Sequence, residues 1–375
     1  MLLLPSSQYS EKNRRHIWSA QVPPMDLATS GAASARESSK AVVVGRRTGI
    51  TACSLLLLSL LIYACPGPPE LFSSTAFPVL QHPFDARKSV ERDELGIALE
   101  GTSMKNKTLI IAILNKAYIG ENGMLDLFLL SLHQGENTEF LINYLLLVAV
   151  DELAFNRCKA LQLHCYHLVS EDVSFSKEAF YMSGNFIKMM WRRTQFLREV
   201  LRRGYSFIFT DMDILWLRNP LTRLNGGEDL QISCDNYNGQ PFDATSNLIN
   251  TGFYFISSNS RTIALFNRWY GAMNSSSGMK DQDVLLKMNF EGVFEQLDMK
   301  VRYLDTDYFS GFCQKSKDFR KVITVHANCC IGSNAKLIDL RAFLEAWKIH
   351  NGTSNASWPK HKSCLLAKNR KLIFV

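Results

Sequence analysis

The sequence predicts an α/β fold in which a central sheet is flanked by helices and is preceded by a single transmembrane helix. Short aliphatic runs alternate along the chain with segments whose apolar residues recur at three- and four-residue spacing, as expected when strands alternate with helices. One uncharged, leucine-rich segment near the N-terminus is long enough to cross a bilayer. The composition, 46% hydrophobic and 21% charged, is that of a globular protein.

Residues 48–65, TGITACSLLLLSLLIYAC, have the length and composition of a membrane-spanning helix. A buried core helix or a cleaved signal peptide is the alternative, but the 47 preceding residues are long for a signal peptide. Residues 1–47 contain seven Lys or Arg and three acids, so the positive-inside rule predicts a cytosolic tail. This tail carries most of the chain's net charge of +7, which argues against a nucleic-acid partner. We interpret 48–65 as a transmembrane signal-anchor.

The chain after the anchor is expected to face a lumen, as in a single-pass type II membrane protein. Residues 66–105 begin with PGPPELFSST and show no sustained period, which indicates a stem, and residues 106–375 form the expected luminal domain. Seven cysteines follow the anchor, and this odd number leaves at least one outside intramolecular disulfides. Four N-x-Ser/Thr sequons also follow it and none precedes it: Asn106, Asn274, Asn351 and Asn355.

Strands and helices are predicted in turn along the luminal part. The strands are 108–115, 145–151, 165–169, 205–210, 230–235, 252–258, 301–304 and 322–326. The helices are 125–132, 152–163, 185–203, 261–272, 282–289 and 337–349. Apolar residues recur on one face of 185–203, arginines lie near its end and Gly204 follows it. The alternation indicates a parallel sheet with helices on both faces.

One apolar strand leads directly into two aspartates, Asp211 and Asp213, in FIFTDMDILWLRNP. Residues i and i+2 of an extended chain point to the same side, so both carboxylates can approach one ligand. Ligands of open α/β sheets bind beyond the carboxyl ends of the strands. Asp is also common in solvated turns, but the apolar flanks favour a site near the core. A hard divalent cation would neutralise the pair.

Two later segments supply further candidate residues. Asp281, Gln282 and Asp283 in KDQDVLLKM open a helical pattern, where acids also serve as caps. His326 ends a strand in ITVHANCC, and ordinary hydrogen bonds satisfy most histidines in such positions. Taken singly, these residues fit a structural role as well as a functional one.

Five motifs within residues 105–350 together resemble the plant nucleotide-diphospho-sugar transferase domain family of retaining glycosyltransferases. They are NKAYIGENGMLDLFLLS, MMWRRTQFLREVLRRGYSFIFTDMDILWLRNP, ISCDNYNGQPFDATSNLINTGFYFISSNSRTI, KDQDVLLK and HANCCIG. The resemblance implies a GT-A fold, with a Rossmann-type mixed sheet, and a luminal glycosyltransferase domain at 106–375. It implies transfer of a sugar from a nucleotide diphosphate, expected to be UDP, to a cell-wall polysaccharide or glycoprotein in the Golgi. The implied cofactor is Mn²⁺ or another divalent cation.

The resemblance also assigns roles to the residues that would hold the metal and the diphosphate. Asp211 and Asp213 match the family's D-x-D motif, with Asp213 as the firmer metal ligand and Asp211 reaching toward the metal or the ribose. His326 matches a late histidine that completes the metal site. Lys336 would reach the diphosphate, although the loop before it is longer than in related enzymes.

Around the donor sugar, the resemblance assigns the D-Q-D segment and two more distant residues. Asp281 would bond sugar hydroxyls, while Gln282 or Asp283 would face the anomeric carbon. Asn250 and Arg193 are expected donor contacts, with Arg192 as the competitor of Arg193. A covalent intermediate and a front-face displacement are both compatible with this set.

The leading expectation is therefore a type II Golgi glycosyltransferase. The alternative is a catalytically inactive luminal sugar-binding or scaffold protein of the same fold. A glycosidase would need two carboxyl groups across a sugar ring and no metal, and a calcium module of the EF-hand type would need a twelve-residue loop that the sequence lacks. The sugar, the acceptor and the oligomeric state are left open.

Overall fold

The computed structural model describes residues 93–169, 183–224, 227–350 and 358–373. The expected cytosolic tail, the anchor at 48–65 and most of the expected stem lie outside the described residues, as do the sequons at Asn351 and Asn355. Within these described ranges, no helix is both long enough and apolar enough to span a bilayer.

Helices and strands alternate through most of the described chain. The α-helices are α1 (Glu94–Thr102), α2 (Met124–Gln134), α3 (Glu152–Ala160), α4 (Gly184–Arg202), α5 (Ser260–Gly271), α6 (Asp281–Phe290), α7 (Val293–Gln296), α8 (Ser333–His350) and α9 (Lys362–Ile373). The strands are β1 (Thr108–Leu114), β2 (Leu145–Ala149), β3 (His164–His167), β4 (Ser206–Thr210), β5 (Ile214–Trp216), β6 (Leu230–Asn236), β7 (Leu248–Ile256), β8 (Val301–Tyr303), β9 (Phe309–Gly311) and β10 (Thr324–His326).

Seven strands form the central sheet in the order β3-β2-β1-β4-β7-β6-β8. Strands β1 to β4 pair in parallel, and β6 and β8 are also parallel to each other. Strand β7 runs antiparallel to both of its neighbours, β4 and β6. The mixed α/β sheet is thus confirmed, while the purely parallel sheet suggested by strand–helix alternation is wrong at β7. Residues 237–247 connect β6 to β7 without a crossover helix, and antiparallel pairing needs none.

The central strands separate two hydrophobic cores, one on each face of the sheet. Ile110 of β1 and Ile208 of β4 belong to the core that packs against α2 and α8. Their neighbours Leu109 and Phe207 belong to the core that packs against α4 and α5. Because successive side chains of a strand point to opposite faces, a continuous apolar run is needed to fill both cores. The helices therefore cover both faces, as predicted.

Helix α1 lies within residues 66–105, the range interpreted from the sequence as a stem. Its Leu95 and Leu99 are buried in the core beside α4. Asp93 caps the helix by accepting a hydrogen bond from the backbone N–H of Gly96, and it also accepts one from Arg203 at 2.7 Å. The folded part of the chain therefore begins before residue 106.

Three disulfides link Cys158 to Cys165, Cys313 to Cys329 and Cys330 to Cys364. Among the described residues, Cys234 is the cysteine left as a free thiol, and it is buried. This agrees with the odd number of cysteines after the anchor. The two later disulfides involve adjacent residues of one loop, which follows β10.

Candidate active site

The two aspartates lie where the chain passes from the central sheet to a smaller one. Strand β4 ends at Thr210, and β5 belongs to a three-stranded sheet of order β5-β10-β9. The backbone N–H of Asp211 donates to the carbonyl oxygen of Gly252 in β7 at 2.6 Å. Met212 is 3% exposed and packs in the core, so the intervening side chain is directed into the protein. This junction holds both carboxylates at the carboxyl end of a central strand, as the sequence predicts.

Strand pairing in the small sheet brings His326 to the aspartates. Strand β10 runs antiparallel to β5, with His326 opposite Ile214, the residue after Asp213. The Nε2 atom of His326 lies 3.4 Å from Oδ1 of Asp213 and 4.0 Å from Oδ2 of Asp211. One candidate ligand atom from each of the three residues lies within 4.8 Å of the others. Residues more than 100 positions apart thus form one cluster.

The cluster fits a divalent cation by its donor atoms and by the space beside it. Two carboxylates and one imidazole suit a hard or borderline divalent ion, and three protein ligands leave coordination positions for phosphate oxygens. Gly252 borders the same space. A Cβ atom there would lie 2.4 Å from Cε1 of His326 and 2.8 Å from Oδ2 of Asp211, so only glycine leaves room for this arrangement.

Lys336 provides a positive charge at the same cluster. Its Nζ atom lies 2.7 Å from Oδ2 of Asp213, and it projects from the first turn of α8. Burial alone would raise the pKa of Asp213, but Lys336 and His326 hold that pKa well below its usual range. Burial raises the pKa of Asp211, against the opposing effect of Arg193. The two carboxylates therefore differ in character, and Asp213 is the firmly ionised one.

Arg193 joins the aspartate pair to the D-Q-D segment. Its side chain is 7% exposed, and its guanidinium lies 3.1 Å from Oδ1 of Asp211 and 2.7 Å from Oδ2 of Asp281. The adjacent Arg192 instead donates to the carbonyl oxygen of Val169. The sequence left a choice between the two arginines, and the structure places Arg193 in the site. Its predicted donor contact stays a prediction, because its guanidinium donates to groups of the protein, namely Asp211, Asp281 and the hydroxyl of Thr251.

Replacing Arg193 with methionine should lower the free energy of unfolding by about 3–5 kcal/mol, since a buried charge would lose its partner. Asp281 is 1% exposed and would be the group left uncompensated. Urea denaturation of the full chain would measure the effect. Arg192→Met is the matched control and should cost much less, because Arg192 is only partly buried and its guanidinium donates to the side chain of Gln195 and to the exposed carbonyl of Val169. Equal losses for the two variants would contradict this assignment.

The Asp281 carboxylate is surrounded by protein donors. Besides Arg193, Thr194 donates its hydroxyl to Oδ2 at 3.1 Å, and the backbone N–H of Gln282 donates to Oδ1 at 2.9 Å. These bonds occupy both oxygens of the side chain. In this structure Asp281 therefore orients Arg193 and the start of α6, and its predicted contact with sugar hydroxyls stays untested.

Gln282 and Asp283 have different surroundings. The side-chain oxygen of Gln282 accepts bonds from the backbone N–H and the hydroxyl of Thr251, both at 3.2 Å. Asp283 has a side chain 32% exposed, with Oδ1 3.6 Å from Nζ of Lys280. Burial raises the pKa of Asp283, although Lys280 opposes the shift. Gln282 is thus tied to β7 beside the aspartate cluster, while Asp283 pairs outside that network.

Asp235 is a site residue absent from the sequence-based predictions. Its Oδ1 accepts bonds from Nδ2 of Asn250 and Nδ2 of Asn328, each at 2.8 Å, and its Oδ2 lies 3.5 Å from Nε2 of Gln282. Asn250 also accepts a bond from the backbone N–H of Gly252 at 2.8 Å. Asp235 follows the apolar run of β6, so the strand-end reasoning that singled out Asp211 could also have found it.

The described sequons lie on the surface. Asn106 and Asn274 are both exposed, as attachment of a glycan requires. The side-chain oxygen of Asn106 accepts a bond from the backbone N–H of Thr108. The side-chain nitrogen, to which a glycan would attach, takes no part in that bond. Their use as glycosylation sites stays a prediction.

A known protein family matches the part of the chain that contains this cluster. The sequence profile described as nucleotide-diphospho-sugar transferase matches residues 141–340. That range includes β4, β7, α6 and β10, and thus every residue of the cluster described above. The chain belongs to the nucleotide-diphospho-sugar transferase family, which makes it a member of a glycosyltransferase family.

Individual relatives support the same assignment. The chain is 48% identical over 279 residues to the uncharacterized Arabidopsis thaliana protein At1g28695, covering 72% of this chain and 83% of that one. It is 26% identical over 195 residues to the β-arabinofuranosyltransferase RAY1 of Arabidopsis thaliana, covering 51% of this chain and 33% of that one. It is 27% identical over 160 residues to a UDP-galactose:fucoside α-3-galactosyltransferase of Dictyostelium discoideum, covering 37% of this chain and 24% of that one.

Proposed function

We propose that the chain is a metal-dependent, retaining glycosyltransferase that uses a UDP-sugar and modifies a cell-wall polysaccharide or a glycoprotein. The observation that carries the proposal is the convergence of Asp211, Asp213 and His326 beside Lys336 at the end of β4. A nucleotide diphosphate is the donor that such a cluster suits, since it offers oxygen ligands to a cation and negative charge to a lysine. The UDP of the galactosyltransferase relative supports that choice of nucleotide.

Three residues would hold Mn²⁺ or another divalent cation: Asp211, Asp213 and His326. A bound cation stabilises the negative charge that develops on a diphosphate leaving group. Lys336 lies at the same cluster and would exchange its bond to Asp213 for a phosphate oxygen of the donor. The chain thus supplies both the ligands and a second positive charge at the place where the leaving group separates.

The sugar would lie on the side of the cluster where Gln282 and Asn250 meet Asp235. Gln282 is held by Thr251, so its side-chain dipole is oriented before the donor binds. In a front-face reaction the acceptor hydroxyl bonds to the anomeric carbon as the bond to the diphosphate breaks, and its proton passes to a phosphate oxygen. The configuration is then retained, and neither Gln282 nor Asp283 needs to act as nucleophile.

The proposed setting is the Golgi membrane, with a single signal-anchor at 48–65 and the catalytic domain in the lumen. The charge asymmetry around that segment and the position of the four sequons support this topology. The three disulfides support an oxidising compartment. Protease protection of the full chain in sealed microsomes would test it, since the opposite orientation would leave residues 106–375 open to digestion.

Removing the cation should lower turnover of the donor at least 100-fold, because the single charge of Lys336 would leave most of the negative charge on the leaving diphosphate unneutralised. The full chain would be purified in detergent and given a panel of UDP-sugars, and release of UDP would be followed with Mn²⁺, with EDTA, and after Mn²⁺ is restored. We expect one or few donors to be consumed, and only with the metal present.

Two results would overturn the proposal. Hydrolysis of a glycoside without any nucleotide donor would indicate a glycosidase. Tight binding of a UDP-sugar without turnover, across acceptors that include arabinan and plant glycopeptides, would favour the inactive sugar-binding alternative.

A further inference from the structure

A six-residue loop, 327–332, connects the strand that ends in His326 to the helix whose first turn carries Lys336. It runs from the end of β10 to the first turn of α8. Cys329 adopts a left-handed conformation, with φ of 55°, and Gly332 does so with φ of 90°. A non-glycine residue in that region costs of order 1 kcal/mol and persists only where its surroundings impose it. Something outside the loop must therefore hold its path.

Two disulfides hold this loop from opposite sides through consecutive residues. Cys329 is bonded to Cys313, which follows β9, and Cys330 is bonded to Cys364 in α9. We call these the site disulfides. Since their partners belong to different elements, the middle of the loop is fixed in two directions at once.

The first site disulfide is also tied to the donor side of the site. The backbone N–H of Cys313 donates to Oδ1 of Asn328 at 3.1 Å, and Nδ2 of Asn328 donates to Asp235 at 2.8 Å. Asp235 in turn accepts from Asn250. A shift of Cys329 would therefore disturb Asn328 and the amide–carboxylate network as well as His326, three residues away.

The second site disulfide fixes the start of α8. The backbone N–H groups of Ser363 and Cys364 donate to the carboxylate of Asp339 at 3.1 Å and 2.8 Å. Asp339 lies one turn of α8 beyond Lys336 and is 4% exposed. The Cys330–Cys364 bond and these two hydrogen bonds together clamp the turn that carries Lys336.

We propose that the two site disulfides are positioning elements that set His326 and Lys336 for the metal and the diphosphate, so that the donor site assembles only in oxidised protein. This inference rests on the proposed function. Displacing a ligand or donor group by about 1 Å can cost on the order of 100-fold in activity, so a cross-link that removes loop freedom has a direct effect on the site. Reduction would convert each disulfide to two thiols, with a dithiol such as dithiothreitol oxidised in exchange.

The third disulfide offers a matched control within the same chain. Cys158 and Cys165 link the end of α3 to β3, the edge strand of the central sheet. Two strands separate β3 from β4, which places it about 14 Å from the strand that leads to the aspartates. Its loss should affect stability without changing the geometry of the cluster.

The test compares three double variants of the full chain, purified in detergent. They are C313A with C329A, C330A with C364A, and the control C158A with C165A. Mn²⁺ binding by electron paramagnetic resonance and UDP binding by calorimetry would be measured, together with thermal unfolding. We expect each site variant to bind UDP at least 10-fold more weakly, and the control to change less than 2-fold even where its melting temperature falls.

A second measurement uses wild-type protein, so that the test does not depend on the double variants folding. Wild-type protein would be reduced stepwise with dithiothreitol, each disulfide followed by mass spectrometry of labelled thiols, and UDP affinity read at each step. Loss of affinity should track opening of the site disulfides. The inference is wrong if UDP affinity survives the opening of the site disulfides. It is also wrong if opening the control disulfide, Cys158–Cys165, lowers UDP affinity by as much. Wild-type protein that binds no UDP in either state would instead refute the proposed function.

Discussion

Replacing Asp213 with asparagine is expected to reduce sugar transfer at least 1,000-fold and to abolish tight Mn²⁺ binding. Asn keeps the size and hydrogen-bonding shape of the side chain but removes the charge that pairs with Lys336 at 2.7 Å and faces His326 at 3.4 Å. Asp213 is also the carboxylate whose pKa is held well below its usual range by Lys336 and His326, so it is ionised at neutral pH. Losses of several kcal/mol in transition-state stabilisation are typical when such a ligand is removed.

Steady-state UDP release and Mn²⁺ titration would measure the effect of Asp213→Asn. The matched control is Asp318→Asn, which removes an equal charge from a carboxylate paired with the exposed Arg320. The control should retain wild-type turnover. If Asp213→Asn kept a tenth or more of the wild-type activity, the proposed metal site would be wrong.

Replacing Gly252 with alanine is expected to lower Mn²⁺ affinity and transfer at least 100-fold, although no charged or reactive group is lost. The added Cβ would lie 2.4 Å from Cε1 of His326, 2.8 Å from Oδ2 of Asp211 and 2.9 Å from Oδ1 of Asn250. These distances are far below van der Waals contact, so at least one of the three side chains must move. Because Gly252 also accepts the backbone bond of Asp211, β7 has little freedom to retreat.

Mn²⁺ titration and UDP release would measure the loss at Gly252, and circular dichroism would establish that the variant is folded. Gly101→Ala in α1 is the control, since no atom lies within 4 Å of its added Cβ. That control should leave activity unchanged and stabilise the helix by up to about 1 kcal/mol. Normal metal affinity in a folded Gly252→Ala protein would show that the space beside His326 is not needed for the cation.

The long helix at 185–203 was predictable from the sequence, whereas helix α1 and the short strands β5 and β9 were not. The helix expected at 185–203 is α4, Gly184–Arg202, because its apolar face and arginine-rich end are strong local signals. Strands β5 and β9 have only three residues each, and all six are buried, so no alternation marks them. Helix α1 was not predicted within the expected stem, because its buried apolar residues, Leu95 and Leu99, form only a narrow apolar face.

Candidate residues were predictable one at a time, but their partners were not. Asp211 and Asp213 follow an apolar strand and His326 ends one, and those positions singled them out. Arg193 could not be separated from Arg192 by pattern, because only the rotation of α4 against β4 decides which guanidinium is buried. The pairing of the cysteines was equally open, since it depends on which chain segments meet.

By itself, the sequence determined the α/β class, the resemblance to a sugar-transferring family and the individual residues able to bind a metal. These follow from local apolar periodicity and from short motifs, which depend only on neighbouring residues. The tertiary structure alone decided that β7 runs antiparallel, that β10 carries His326 to Asp213, and that Cys329 and Cys330 form disulfides beside the site. Contacts between residues tens of positions apart arise when the sheets and helices bury their apolar faces together, and no local pattern encodes that arrangement.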